Sequence, residues 1–103
     1  MFILSRTRLE LHETLASLCS HVYFQPPESV KLVYPCIIYS LEGMSDRHAD
    51  DDKYATAKRY SVMVLDKNPD TELSEQIHSL PMCSFDRHYC SDNINHFVYT
   101  LYF

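Results

Sequence analysis

At 103 residues, 46% hydrophobic and 22% charged, the chain has enough apolar residues for one buried core and too many for disorder. The net charge of −5, with scattered basic residues and its densest charge run acidic (Asp50-Asp51-Asp52), argues against a protein that coats nucleic acid, which neutralises phosphates with clustered Lys and Arg. No apolar run approaches the roughly 18–20 residues that span a bilayer, and Met1-Phe2-Ile3-Leu4 breaks at Ser5-Arg6-Thr7-Arg8, too early for a signal-peptide core.

These bounds predict a single domain over residues 1–103, made and kept in a cytoplasm, with no membrane partner and its four cysteines as thiols. The aromatic residues are eight tyrosines and five phenylalanines, with no tryptophan. Tyrosine joins a large apolar ring to a polar tip, so it suits sheets that are only partly dry, and interfaces.

The first element is a helix whose start is marked by Thr7-Arg8-Leu9-Glu10. This fits a capping box, with Thr7 covering an orphan amide and Glu10 reaching back to the cap. Leu11, Leu15, Leu18, Cys19 and Val22 fall at helical spacing on one face, and His12, Glu13, Ser17 and His21 largely on the other, so the helix lies on a sheet. A short strand fits around Val22-Tyr23-Phe24, and the prolines of Gln25-Pro26-Pro27-Glu28 end it. Val30 to Tyr34 has no clear pattern, and Pro35 keeps Tyr34 extended.

Cys36 to Glu42 reads as a strand, with Ile37, Tyr39 and Leu41 pointing one way and Cys36, Ile38 and Ser40 the other. Gly43 through Lys53 is polar and acidic without apolar periodicity and reads as a loop. Thr56 to Leu65 is the next strand, with Tyr60, Val62 and Val64 on one face and Arg59, Ser61 and Met63 on the other. Adjacent in sequence, the two strands are expected to pair antiparallel. Asn68-Pro69-Asp70 marks a second helix, with Asn68 as cap, Pro69 at the first position and Asp70 against the positive dipole end. Leu73, Ile77 and Leu80 form its stripe, and Pro81 ends it. Cys83 to Cys90 and Ile94 to Phe103 form a hairpin across Ser91-Asp92-Asn93. Its second strand is apolar on both faces (Phe97, Tyr99, Leu101 and Phe103 against Val98 and Tyr102), which calls for cover on both sides: a helix on one, a partner chain on the other. The order α-β-β-α-β-β, with room for one extra short strand, gives an α+β fold: a mostly antiparallel sheet of four to five strands with two helices packed on it.

Three chemical readings compete with plainer ones. Cys83, His88, Cys90 and His96 gather two thiols and two imidazoles in one hairpin, but the spacing is not that of a zinc site. In a regular hairpin, parity places Cys83 on the opposite face from His88 and Cys90, leaving two ligands. Small buried cysteines and hydrogen-bonded histidines are the better reading, and no metal or cofactor is expected. No cysteine sits at a predicted helix start, where a thiol would be activated. There is no G-x-S-x-G, no H-E-x-x-H and no glycine-rich phosphate loop, and Gly43 is the one glycine. The sequence therefore points away from an enzyme. Asp46, Asp50, Asp51 and Asp52 lack the alternating ligands and the glycine of a calcium loop. They read as a solvated loop or as a loop that orders against another subunit, since Arg47, Lys53, Lys58 and Arg59 flank them and can pair with them between copies. With Tyr102, these residues (Arg47, Asp50, Asp51, Asp52, Lys53, Lys58 and Arg59) are the candidate subunit interface.

Tyr34-Pro35-Cys36-Ile37-Ile38-Tyr39, Lys58-Arg59-Tyr60-Ser61-Val62 and Asp66-Lys67-Asn68-Pro69-Asp70 resemble small tail proteins of bacteriophages that infect Gram-positive bacteria. Leu80-Pro81-Met82-Cys83-Ser84-Phe85-Asp86-Arg87 and Asp92-Asn93-Ile94-Asn95-His96-Phe97 look like the closing hairpin of that group. The likeness covers residues 30–103, and the first helix in pattern alone. It implies a tail terminator or head–tail joining protein: a structural virion subunit forming a ring, expected to be a hexamer, at the head-proximal end of the tail. Such a ring ends tube growth and joins tail to head. The implied partners are further copies, the tail tube protein and a head-completion or neck protein, with DNA only as passing cargo; the location is the virion, and the host cytoplasm during assembly. A head-completion adaptor on the portal side, or a small metal- or ligand-binding α+β domain using the Cys83–His96 hairpin, are the alternatives.

Overall fold

A computed structural model of the protein describes residues 7–49 and 52–103, and the side chains of all of these except 45–57. Helix α1 (Arg8–Ala16) is followed by strands β1 (Val22–Phe24), β2 (Cys36–Ala49) and β3 (Asp52–Asp66), helix α2 (Glu72–His78), and strands β4 (Cys83–Ser91) and β5 (Ile94–Tyr102). The strands make one sheet in the order β1-β2-β3-β5-β4, antiparallel except where β1 runs parallel to β2. The α+β class, the two helices and the extra short strand all match the sequence reading.

Thr7 caps α1 as expected, its Oγ1 accepting from the Glu10 amide at 3.2 Å. The helix is shorter than its apolar spacing suggested. It ends at Ala16, Leu18 and Cys19 lie in the turn beyond, and Val22 already belongs to β1. Leu11 and Leu15 are fully buried and form the contact with the sheet. α2 also starts later than expected. The Asn68 amide donates to Asp66 Oδ1 and the Asp70 amide to Asn68 Oδ1, so Asn68-Pro69-Asp70 is spent on a turn. Thr71 is the actual N-cap, with Oγ1 accepting from Leu73, and the first-turn acids facing the dipole are Glu72 and Glu75.

Both helices pack on the same face of the sheet. Leu11, Leu15, Leu73 and Ile77 meet Ile37, Tyr39, Tyr60, Val62, Val64, Tyr99 and Leu101 in one core. Two buried tyrosines fasten the helices there. Tyr39 Oη lies 2.8 Å from His12 Nδ1 and accepts from Arg8 at 3.3 Å, and Tyr99 Oη donates to the Ser74 carbonyl at 2.9 Å. Gln25 closes the short edge at β1: its amide donates to the Tyr39 carbonyl, and its side-chain carbonyl accepts from the Leu41 amide, standing in for the strand that has ended.

The largest departure from the sequence reading is at 43–53. Residues 43–49 and 52–53 are strand, not loop. β2 and β3 stay paired from Cys36↔Leu65 out to Ala49↔Asp52, with irregularities at Leu41/Gly43 and Arg47/His48. β5 covers β3 only from Asp66 back to Arg59, with one further exchange of backbone bonds between Lys58 and Phe103. Beyond that point β2 and β3 continue as a ribbon of two strands, with no third strand beside it among the described residues, and the molecule measures 51 Å along its longest axis. Residues 43–53 are polar and acidic and do not alternate with apolar ones, so periodicity did not reveal the ribbon.

The β4–β5 hairpin turns through two residues, Asp92 (φ 53°) and Asn93 (φ 64°), the pair of positive angles that a type I′ turn needs. A bulge between Phe85 and Arg87 leaves Asp86 unpaired with β5.

Candidate functional site

The face of the sheet away from the helices carries the surface of interest. Strand alternation puts Cys36, Leu65 and Val98 there, all buried but outside the helix-side core, with Ile38, Met63, Ser61 and Thr100 half-buried among them. Val98 is 3% exposed, while His96, Thr100 and Tyr102 on the same face of β5 are half-buried, so that face is dry only at its centre. Where the sheet narrows towards the ribbon, Glu42, Arg59, Ser61, Asp86, Arg87, Val98, Thr100 and Tyr102 line an open groove of about 490 Å³.

The strands build this groove by register. Arg59 pairs with Tyr102 across β3 and β5, and Ser61 with Thr100. On the other side, Arg59 faces Gly43, and its Nη2 stands 3.2 Å from where a Cβ on that residue would be. The guanidinium lies across the ribbon because position 43 offers no side chain. The bulge in β4 puts Asp86 and Arg87 on the groove's rim, where they pair with each other at 3.1 Å. Arg59 is exposed and makes no ion pair among the described residues. The groove therefore presents two charges of each sign, and one guanidinium is uncommitted.

Of the candidate interface residues, Arg59 and Tyr102 come together here. Lys58 sits next to them, its backbone paired with Phe103. Arg47, Asp52 and Lys53 lie on the ribbon, where their backbones are in strand. Asp50 and Asp51 lie outside the described residues. Sequence reasoning missed Glu42, Asp86, Arg87 and Thr100. Val98, beneath the groove, was signalled by the two-sided pattern of β5.

The Cys/His hairpin is placed differently from the parity argument. Because the bulge adds a residue, Cys83 pairs with Leu101 and His88 with Phe97, so Cys83, His88 and Cys90 share the helix-side face rather than opposing one another. They remain apart: Cys83 and His88 are four β5 positions from each other, about 13 Å at the usual strand rise. His96 points to the other face and stacks on Tyr89 with ring centroids 4.5 Å apart. His88 Nε2 donates to Asn95 Oδ1 at 3.0 Å, since the Asn95 amide nitrogen is turned to the Lys67 carbonyl. Among the described residues no three His, Cys, Asp or Glu side chains gather as metal ligands would.

All four cysteines are free. Burial, with smaller effects from Cys19 and Asp66 nearby, pushes the Cys36 thiol up to about 11, and burial also raises Cys83. These thiols are held protonated, the reverse of what a nucleophile requires. Burial raises Tyr60 and Tyr99 as well. Among the described residues no helix is long and apolar enough to cross a membrane.

No protein-family model matches this chain, and no curated protein matches it. The groove, the ribbon and the face of the sheet that carries no helix among the described residues are the features on which a functional reading rests.

Proposed function

We propose that the chain is a structural virion subunit that forms a ring at the head-proximal end of a bacteriophage tail, ending tube growth and joining the tail to the head. One observation carries the reading. The helices cover a single face of the sheet, and the opposite face is joined at one end to a two-stranded ribbon that no third strand supports among the described residues. An isolated two-stranded ribbon is at best marginally stable in water, so this one is built to lie against something. A ring needs contacts in which one surface of a subunit meets a different surface of the next, and a projecting ribbon and a receiving face are two such surfaces. The resemblance of residues 30–103 to small phage tail proteins supports the same reading, in which the chain does no catalysis. Its partners are further copies, the tail tube protein and a neck protein. The ring, expected to be a hexamer, works in the virion and assembles in the host cytoplasm.

Electron microscopy of particles from a phage lacking this gene tests the role. Overlong, headless tail tubes are the result expected of a terminator. Tails of normal length beside detached, filled heads would move the role to joining, or to a head-completion adaptor. Intact, infectious virions would overturn the neck assignment.

A further inference from the structure

We propose that the groove around Arg59 receives the ribbon of a second copy of this chain, in a head-to-tail contact that pairs Asp52 with Arg59. The inference rests on the ring reading and names the two surfaces that would close such a ring.

Distance excludes the same contact within one molecule. Asp52 and Arg59 lie on the same strand, seven residues apart, and β3 is paired with β2 between them, with one irregularity opposite Arg47 and His48. At the usual strand rise that is about 23 Å. The two charges cannot meet within one chain while the ribbon is paired, but they can between two chains.

Charge supports the same pairing. Residues 46–53 hold four aspartates against Arg47 and Lys53, so the ribbon end is net acidic with both signs present. The groove also holds both signs. Asp86 is matched by Arg87 at 3.1 Å, while Arg59, exposed and without an ion pair among the described residues, is the cation left to accept a carboxylate. Glu42 on the rim is the corresponding anion for Arg47 or Lys53. An arginine fork takes a carboxylate through two parallel hydrogen bonds, which fixes register as well as adding attraction.

Shape agrees. The groove is open and its lining is mainly polar, with Ser61 and Thr100 beside the charged side chains, so an entering ribbon would meet hydrogen-bonding groups as well as charge. Its position at the root of the ribbon means that each subunit offers a donor and a receptor near one end of the sheet. The ribbon and the groove are different surfaces, so a contact between them is heterologous and can pass from copy to copy.

Sedimentation velocity over a concentration series, with circular dichroism as the check on folding, tests the contact through charge reversal. Wild type is expected to associate, and less strongly at high salt. Arg59→Glu, and separately Asp52→Lys, should each raise the association midpoint at least about tenfold. Mixing the two folded variants in equal amounts should bring the midpoint back to near the wild-type value, since the wild-type ribbon of one fits the wild-type groove of the other and the reversed ribbon fits the reversed groove. Folded variants that associate like wild type would overturn the contact, as would a mixture that fails to recover. A wild-type chain that stays monomeric up to about millimolar concentration would overturn it too. These failures leave the neck role itself to the gene-deletion particles, which judge it independently.

Discussion

The guanidinium of Arg59 occupies the space that a side chain on Gly43 would fill, with Nη2 3.2 Å from the position of such a Cβ. No positive backbone angle is involved at Gly43, so the need for glycine is one of close approach. The chain's single glycine thus lies where the ribbon leaves the sheet and its exposed arginine turns over it.

Gly43→Ala is therefore expected to leave the fold almost unchanged and to move Arg59. The atoms it would meet belong to the far end of a flexible side chain, so the stability cost should stay near 0.5 kcal/mol. If Arg59 carries the contact between copies, association weakens several-fold in the same variant. Urea unfolding read beside sedimentation checks both halves, and a large loss of stability with unchanged association would contradict the account.

Tyr39 and Tyr99 each reach a different helix, and removing either hydroxyl should loosen that helix. Tyr99→Phe leaves the Ser74 carbonyl with one bond fewer in a buried site, and Tyr39→Phe strands Arg8 and His12. A loss of about 1 kcal/mol is expected from each. Because the tyrosines hold separate helices, their effects should add in the double variant. Equilibrium denaturation of the two single variants and the double one measures this.

The thiols should separate by environment. Cys90 is exposed, whereas Cys19 and Cys36 are buried and the Cys36 thiol is held protonated by that burial. A thiol reagent at pH 8 is expected to label Cys90 first and Cys83 more slowly, and to reach Cys19 and Cys36 only after unfolding. Mass spectrometry of partly labelled protein gives the order, and early labelling of Cys36 would show that the helix-free face opens readily.

Alkaline pH should destabilise the fold through Cys36. In the unfolded chain its thiol loses its proton near 9.0, while in the folded chain it keeps it to about 11. Between these values the folded state binds the extra proton, so its contribution is complete below pH 9 and is lost as pH rises through 11. Relative to Cys36→Ala, wild type should lose on the order of 2 kcal/mol more between pH 8 and 11. Thermal melts of both proteins across that range test the difference.

Asn93 sits at the second position of the β4–β5 turn with φ 64°, a geometry that glycine adopts without strain. Asn93→Gly should raise stability by about 0.5 kcal/mol, and Asn93→Val should lower it by more than that. A shift of either variant in the opposite direction, followed by thermal melting, would mean that the turn is held by something other than its own backbone preference.

The parts of the fold legible in the sequence are those where burial imposes a pattern. Ile37 and Tyr39, then Tyr60, Val62 and Val64, alternate because one face meets the helices, and that alternation located both central strands. Thr7 announced its helix because Glu10 supplies the amide it covers. The ribbon was invisible for the opposite reason: residues 43–53 carry no alternation of apolar and polar side chains. The bulge at Asp86 leaves no mark in composition, yet by adding one residue it reversed the face assigned to Cys83. The α2 cap was misplaced because Asn68 and Thr71 are both good caps three residues apart, and the Asp66 carboxylate drew Asn68 into a turn. The groove combines all of these, and only its register made Arg59 and Tyr102 neighbours of Arg87.

The strand order has a kinetic consequence. β2–β3 and β4–β5 are local hairpins, each with its own helix, and they meet only along the pairing of β3 with β5, where Val62 finds Tyr99 across the whole of α2 and β4. Local hairpins form in about 1–10 μs, while the central seam must first close that long stretch of chain against its entropy. The seam is therefore the step that sets the folding rate. Substitutions at Val62 or Tyr99 should slow folding, and substitutions in the outer strands should mainly hasten unfolding.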